Sequence, residues 1–100
     1  MDIRKLRDYC LDPLHLRGRH KARVFRNAVG IGQADADWLR DIVLDGVRAN
    51  EAVELTQDSY GSRWRVDIPV ERGGKTAMLR TIWIVRIGGD VPVFVTCWVV

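Results

Sequence analysis

The chain has 100 residues, of which 47% are apolar and 29% are charged, with a formal net charge of +3. These values are typical of one globular domain. No segment approaches the roughly 18 apolar residues of a membrane span, and the N-terminus lacks the apolar stretch of a signal peptide. The two cysteines, Cys10 and Cys97, are too few for a disulfide framework and match no zinc site. The sequence therefore predicts a single cytoplasmic domain over residues 1–100, with no metal, cofactor or membrane association.

Charge is distributed unevenly along the chain. Residues 1–33 carry eight Lys and Arg against three Asp and Glu, a net +5. Residues 34–58 carry two against seven, a net −5, and residues 59–100 carry six against three, a net +3. A basic segment of this density favours binding to phosphate groups. A solvated helix face would have the same composition, so charge alone leaves both interpretations open.

The first half of the chain has helical periodicity. A short helix is predicted over residues 2–10 with Asp2 as its N-cap, before a loop that contains a proline. A second helix is predicted from residue 20 to Val29, followed by Gly30. A third is predicted from Ala34 to Ala49, where apolar residues recur at helical spacing: Trp38, Leu39, Ile42, Val43 and Val47.

The second half of the chain has the period-two alternation of strands. Strands are predicted at 52–57, 62–71, 75–87 and 91–99, and Gly73-Gly74 indicates a tight hairpin. The second strand alternates between two sets of side chains: Trp64, Val66, Ile68 and Val70 against Arg63, Arg65, Asp67 and Glu71. The sequence thus predicts an α+β fold, with N-terminal helices packed on one face of a four-stranded antiparallel β-sheet.

A lysine interrupts the apolar side of the second helix. At ~100° per residue, Lys21 lies near the middle of that side. Its side chain can extend from the helix end into solvent, or it can point into a site where the free N–H groups of the helix also favour an anion. His20 precedes Lys21, and histidine exchanges protons near neutral pH. Lys21, Arg19 and Arg23 add three cations, so a proton carrier and three positive charges lie at the start of one helix. This combination suits a scissile phosphate.

The long strand at 75–87 is apolar on both faces, which predicts a central position. Arg80 is a charge among apolar neighbours and needs a partner. That partner is either a carboxylate such as Asp67 or Glu71, or a substrate phosphate that the guanidinium binds through two hydrogen bonds. Thr81 points to the opposite face, so the face that the helices cover determines which of the two side chains lies in a site.

The remaining candidates have weaker signals. The hydroxyl of Thr96 can donate to a phosphate oxygen, although threonine is also an ordinary strand residue. Tyr60 and Arg65 are expected to contact RNA. His15 lies in a loop and is assigned no role. The other aromatic residues and the cysteines are expected to pack in the core: Trp38, Trp64, Trp83, Trp98, Cys10 and Cys97.

The absence of several catalytic motifs limits the classes of reaction that the chain can catalyse. The chain has no P-loop, GxSxG, HExxH or GxGxxG motif, and no carboxylate cluster suited to Mg²⁺. Histidine, lysine, arginine and threonine without a metal suit the cleavage of RNA by its own 2′-hydroxyl. In that reaction the protein supplies an acid, a base and positive charge for the pentavalent transition state. DNA lacks the 2′-hydroxyl, so this set of residues indicates RNA.

Several segments resemble a bacterial domain family whose members occur as small stand-alone proteins and at the C-termini of polymorphic and contact-dependent toxins. These segments span nearly the whole chain: Leu6-Arg7-Asp8-Tyr9, Asp12-Pro13 with His15, residues 18–25, residues 38–41, residues 80–86 and residues 95–97. Members of this family are similar to the barnase/EndoU/colicin/RelE-like ribonuclease superfamily. The resemblance implies helices on a four-stranded antiparallel sheet and metal-independent RNA cleavage, often of tRNA. It also implies a cognate antitoxin or immunity protein.

The resemblance also implies roles for individual residues. The family's His-Lys pair matches His20 and Lys21, its strand arginine matches Arg80 with Thr81, and its late threonine matches Thr96. Leu16 stands where the family has a proline. The predicted function is therefore a toxin-like endoribonuclease that leaves a 2′,3′-cyclic phosphate. The alternatives are a non-catalytic RNA- or protein-binding module of a toxin–antitoxin or immunity pair, and a structural accessory domain.

Overall fold

Helical segments precede four strands in the chain, as the periodicity predicts. A computed structural model describes all residues, 1–100. In chain order its elements are a π-helix at Leu6–Cys10, α1 at Arg19–Val29, a 3-10 turn at Gln33–Asp35, α2 at Ala36–Ala49, β1 at Ala52–Asp58, β2 at Gly61–Arg72, β3 at Lys75–Arg86 and β4 at Val93–Val99. The predicted α+β class is confirmed. No helix combines the length and the apolar character needed to cross a lipid bilayer.

The four strands form one antiparallel sheet in which each strand pairs with its neighbour in sequence, in the order β1-β2-β3-β4. The central position predicted for β3 is confirmed, and β4 is an edge strand. Gly73 and Gly74 join β2 to β3 with φ values of 57° and 80°. Both angles lie in the left-handed region that glycine adopts without strain, which is why this pair makes the tight hairpin that the sequence predicts.

The helices cover one face of the sheet. α1 lies against β3 and β4, and α2 lies against β2. The core between the layers contains residues from every one of these elements: Phe25, Val29, Leu39, Val43, Val66, Ile68, Leu79, Trp83 and Phe94. Burying one such large side chain contributes about 1.5–3 kcal/mol. The opposite face, which we call the open face, has no helix over it and presents Arg63, Arg65, Asp67 and Arg80.

The first helix differs from the prediction in its geometry. The carboxylate of Asp2 accepts the N–H of Arg4 at 3.0 Å, as expected of an N-cap. The last turn, however, widens into a π-helix, in which the N–H of Leu11 bonds to the carbonyl of Leu6 at 2.8 Å. Such wide turns occur mostly as single turns and are frequent at functional sites. Here the turn buries Cys10 and leaves Tyr9 partly exposed.

β4 contains an irregularity next to that turn. Thr96 pairs with Ile82 and Phe94 pairs with Trp83, so Val95 has no partner on β3. This extra residue makes a β-bulge, which changes the direction of the side chains beside it. The carbonyl of Phe94 accepts a hydrogen bond from Nζ of Lys5 at 2.6 Å. The N-terminal segment is therefore tied to β4 at the bulge.

Candidate active site

Lys21 of α1 and Thr96 of β4 meet at the edge of the sheet. Nζ of Lys21 donates to Oγ1 of Thr96 at 3.0 Å and lies 3.4 Å from the hydroxyl of Tyr9. It also lies 4.9 Å from the ring centroid of Tyr9 and 5.4 Å from that of Trp98. None of the protein's ion pairs involves Lys21. The half-buried ammonium thus has neutral hydroxyls and aromatic rings as its neighbours, and no carboxylate.

His15, for which no role was predicted from the sequence, holds the loop before α1 in place. Nδ1 of His15 accepts the N–H groups of Arg17 and Gly18, both at 3.0 Å. This bonding assigns the ring proton to Nε2. The imidazole packs edge-on against the ring of Tyr9, with 4.7 Å between centroids. His15 therefore connects the start of α1 to Tyr9.

The ring of His15 holds the loop before α1 and does not cap the helix, since both of its N–H partners precede Arg19. The cap position of α1 is Gly18, which offers no side-chain acceptor. Serine, threonine, aspartate or asparagine usually fills this position. No cap motif or periodic pattern in the sequence marks His15, because its two hydrogen bonds are made within the loop.

Gly18 allows α1 to begin directly against Tyr9. A Cβ atom at position 18 would lie 1.9 Å from the carbonyl oxygen of Tyr9. No other residue fits without displacing one of the two backbone segments. Because Lys21 lies in the first turn of α1, this close approach brings its backbone near the segment that carries Tyr9.

The two cysteines lie beneath the Lys21–Thr96 contact. Cys10 is fully buried, and its Sγ lies 3.7 Å from Oγ1 of Thr96. A hydrogen bond from the Cys97 thiol, with others from the Cys97 backbone and Thr96, lowers the pKa of the Cys10 thiol to about 6. The same bond to Cys10, together with burial, raises the pKa of Cys97. Both cysteines pack in the core, as predicted, and Cys10 in addition contacts the hydroxyl of Thr96.

Two cavities flank the Lys21–Thr96 contact. One, of about 610 Å³, lies on the Tyr9 side and is lined by Asp2, Arg4, Lys5, Tyr9, Val95 and Thr96. The other, of about 400 Å³, is lined by His20, Lys21, Val24, Trp98 and Val99. We call the two cavities together the β4 groove. His20 and Lys21 line the same cavity, and Trp98 is partly exposed in it, although the sequence predicted a core position for this tryptophan.

Arg80 is paired with a carboxylate. This is one of the two partners predicted for it, the other being a substrate phosphate. The Arg80 guanidinium donates to both carboxylate oxygens of Asp67, at 3.0 and 3.1 Å. Nε of Arg65 lies 3.7 Å from the same carboxylate. The bond from Arg80 lowers the pKa of Asp67. Both arginines are thus held on the open face by Asp67, and Arg80 pairs with Trp98 of β4 in the sheet register.

The prediction that Thr81 binds substrate is wrong. Thr81 is completely buried because the helices cover its face of the sheet. Its hydroxyl donates to the carbonyl of Val66 at 2.7 Å and accepts from Nε1 of Trp83 at 2.8 Å. Thr81 thus satisfies the indole N–H in the core and has no access to a ligand.

The other candidates lie apart from the β4 groove. Arg19 and Arg23 are each two positions from Lys21, roughly 200° around the helix. With Arg26 they line a separate cavity of about 210 Å³. Tyr60 is 73% exposed in the turn between β1 and β2, with two strands between β1 and β4. No group of three or more His, Cys, Asp and Glu side chains is close enough to hold a metal ion.

Fold and site together define an α+β domain with an unpaired cation in a groove at the edge of a four-stranded antiparallel sheet. The whole chain, residues 1–100, matches the family described as domain of unknown function DUF6883, and the protein belongs to that family. No curated protein and no solved structure matches the chain. The relationship to the ribonuclease superfamily therefore stays a prediction.

Proposed function

We propose that the protein is a toxin-like, metal-independent endoribonuclease that acts at the β4 groove. The observation that carries this proposal is the half-buried ammonium of Lys21, which has hydroxyl and aromatic neighbours but no carboxylate. A partly desolvated cation with no carboxylate partner favours an anionic ligand. In a chain whose first 33 residues carry a net +5, a nucleic-acid phosphate is the anion that this surface attracts.

The hydrogen-bond directions at Thr96 support a role at a phosphate. Because Lys21 donates to Oγ1 of Thr96, the proton of the threonine hydroxyl is free for another acceptor. The other partner of Oγ1 is the sulfur of Cys10, at 3.7 Å, a distance at which either group can be the donor. When RNA binds, Thr96 and Lys21 donate to the non-bridging phosphate oxygens, which gain negative charge in the transition state.

The proposed reaction is an attack by the RNA's own 2′-hydroxyl on the adjacent phosphorus. The bond from phosphorus to the 2′-oxygen forms, the bond to the 5′-oxygen breaks, and the products are a 2′,3′-cyclic phosphate and a 5′-hydroxyl. His20, beside Lys21 in the groove, removes the 2′-hydroxyl proton or protonates the leaving oxygen. The hydroxyl of Tyr9, also beside Lys21, serves the other proton transfer. Each such transfer contributes about 10²–10⁴-fold in rate.

Residues outside the groove have separate roles in this proposal. Arg19 and Arg23 lie on the far side of α1 and bind flanking phosphates, which suits a long folded substrate such as tRNA. Arg65 and Arg80 stay paired with Asp67 and stabilise the sheet. A ribonuclease that acts in the cytoplasm of its own cell requires an inhibitor, so we propose a cognate antitoxin or immunity protein as the partner.

One observation favours the alternative of a non-catalytic RNA- or protein-binding module. The side chain of His20 is exposed, and no neighbouring group orients its imidazole as His15 is oriented by backbone N–H groups. Such a module would use the same groove and the same cations, and would leave bound RNA intact.

The test is incubation of the purified protein with total tRNA in EDTA, with Lys21→Ala, His20→Ala and the control Lys75→Ala, which changes an exposed lysine at the β2–β3 hairpin. We expect discrete fragments that end in 2′,3′-cyclic phosphate from the wild type and the control. Both groove variants should lose them. Bound but intact tRNA would favour the binding module, and tRNA that is neither bound nor cleaved would exclude both functions.

A further inference from the structure

We propose that the cavity beside Trp98 is a nucleobase subsite, so that the β4 groove binds one nucleotide with its base on the indole and its phosphate at Lys21. This inference rests on the proposed function in taking a nucleotide as the ligand. The inference goes further by specifying which part of the nucleotide each half of the groove binds. It also specifies how strongly the site distinguishes between bases.

The two halves of the groove differ in the polarity of the side chains that line them. The half beside Trp98 has apolar walls, formed by the indole and Val99 of β4 and by Val24 of α1. Val24 is 42% exposed although it lies on a helix that packs against the sheet. The half beside Tyr9 is lined mainly by polar and charged side chains, among them Asp2, Arg4 and Lys5. A flat, largely apolar base fits the first half, and sugar and phosphate groups fit the second.

The position of Lys21 links the two halves. Its ammonium lies 5.4 Å from the centroid of the Trp98 ring and 3.0 Å from Oγ1 of Thr96. A phosphate bound by the ammonium and the threonine is therefore within one nucleotide of the indole. The volume of about 400 Å³ is within the range of small-ligand sites, roughly 300–1,000 Å³.

The lining also predicts weak discrimination between bases. Specific recognition of base edges uses arginine, lysine, asparagine, glutamine or carboxylates. Of these residue types this cavity has only Lys21, which the phosphate engages in this proposal. Stacking on an aromatic ring tolerates every base and strengthens with ring area. The subsite should therefore prefer purines to pyrimidines modestly.

The experiment compares the affinities of adenosine 5′-monophosphate, cytidine 5′-monophosphate, ribose 5-phosphate and inorganic phosphate, measured by isothermal titration calorimetry on the full chain. Adenosine monophosphate should bind about 5 to 150 times more tightly than ribose 5-phosphate, the range expected of one stacked base. Cytidine monophosphate should lie between them. Lys21→Ala should weaken the binding of all four ligands.

Trp98→Ala should reduce the affinity for adenosine monophosphate to that for ribose 5-phosphate and leave the latter unchanged. Trp98→Phe should keep part of the difference. Val24→Ser, on the exposed side of α1, tests the opposite wall without altering the sheet and should also weaken only the nucleotides. Leu14→Ala removes a highly exposed apolar side chain outside the groove and should have no effect.

Equal affinities for adenosine monophosphate and ribose 5-phosphate in the wild type would overturn the subsite, as would a difference that survives both Trp98→Ala and Val24→Ser. Cleavage of tRNA without a base-dependent affinity would overturn the subsite and leave the proposed function in place. A base-dependent affinity that requires Trp98, with tRNA left intact, would overturn the ribonuclease and leave the subsite in place.

Discussion

The ammonium of Lys21 lies 3.0 Å from the hydroxyl of Thr96, although 75 residues separate them in the chain. Two local features produce this contact. Gly18 lets α1 begin against the backbone of Tyr9, and the bulge at Val95 changes the direction of Thr96 on the edge strand. The contact is therefore a consequence of how the first helix turn and the last strand are positioned.

Replacing Thr96 by valine tests whether the hydroxyl acts on a substrate. Valine has nearly the same shape and favours strands, so the fold should be kept, with a loss of about 0.5–1.5 kcal/mol for the hydrogen bond from Lys21. Removing one preorganised donor should lower the rate of tRNA cleavage about 10²–10³-fold. Single-turnover cleavage measures this, with Thr76→Val at an exposed position of β3 as the control. A Thr96→Val variant as active as the control would exclude the hydroxyl from the mechanism.

Gly18→Ala tests the close approach of α1 to Tyr9. The added methyl would meet the Tyr9 carbonyl at 1.9 Å, and forced overpacking of this kind typically costs about 1–3 kcal/mol. Urea denaturation should show that loss. Gly32→Ala is the matched control, since its Cβ would meet only the mobile end of Arg26, at 3.3 Å. Equal stabilities of the two variants would contradict the role of Gly18.

The architecture was predictable because it depends on periodicity. Alternation in β2, the Gly73-Gly74 turn and the apolar stripe of α2 are local patterns, and they determine which side chains face the core. The presence of Lys21 and Thr96 among the candidates also came from the sequence. Their contact depends on the close approach at Gly18 and on the bulge, neither of which has a periodic signature.

The partner of Arg80 was not predictable from its own strand. The apolar neighbours of Arg80 indicated that it needs an anion, and either Asp67 or a phosphate satisfied that requirement. The register places Asp67 directly opposite Arg80, which decides in favour of the carboxylate. Trp98 was assigned to the core because tryptophan is usually buried, whereas its position on an edge strand leaves the ring partly exposed in the groove.

His15→Ala should destabilise the protein, because it leaves the N–H groups of Arg17 and Gly18 without their acceptor. Loss of one such hydrogen bond typically costs about 0.5–1.5 kcal/mol. His15→Asn should recover part of this loss, since its side-chain oxygen can accept a backbone N–H. Urea denaturation measures the stability of each variant. If asparagine is no better than alanine, the contribution of His15 lies in its packing against Tyr9 rather than in its hydrogen bonds.

Asp67 should make stability depend on pH at the acidic end. Its pKa is lowered in the folded protein, mainly by the hydrogen bonds from Arg80, relative to about 3.9 in an unfolded chain. A carboxyl with a lowered folded pKa stabilises the native state above the unfolded pKa and loses that contribution as pH falls through the folded pKa. The pair is partly exposed, so the contribution at neutral pH is at most about 1 kcal/mol.

Asp67→Asn separates this effect from general acid unfolding. At pH 7 the variant should be less stable than the wild type, and the difference should shrink as pH falls below about 4. Urea denaturation at a series of pH values measures the difference, with Asp41→Asn on the exposed surface of α2 as the control. Because Arg80 faces Asp67 rather than Lys21, the variant should keep the wild-type rate of tRNA cleavage. A loss of cleavage at unchanged stability would instead place Arg80 and Asp67 in the active site.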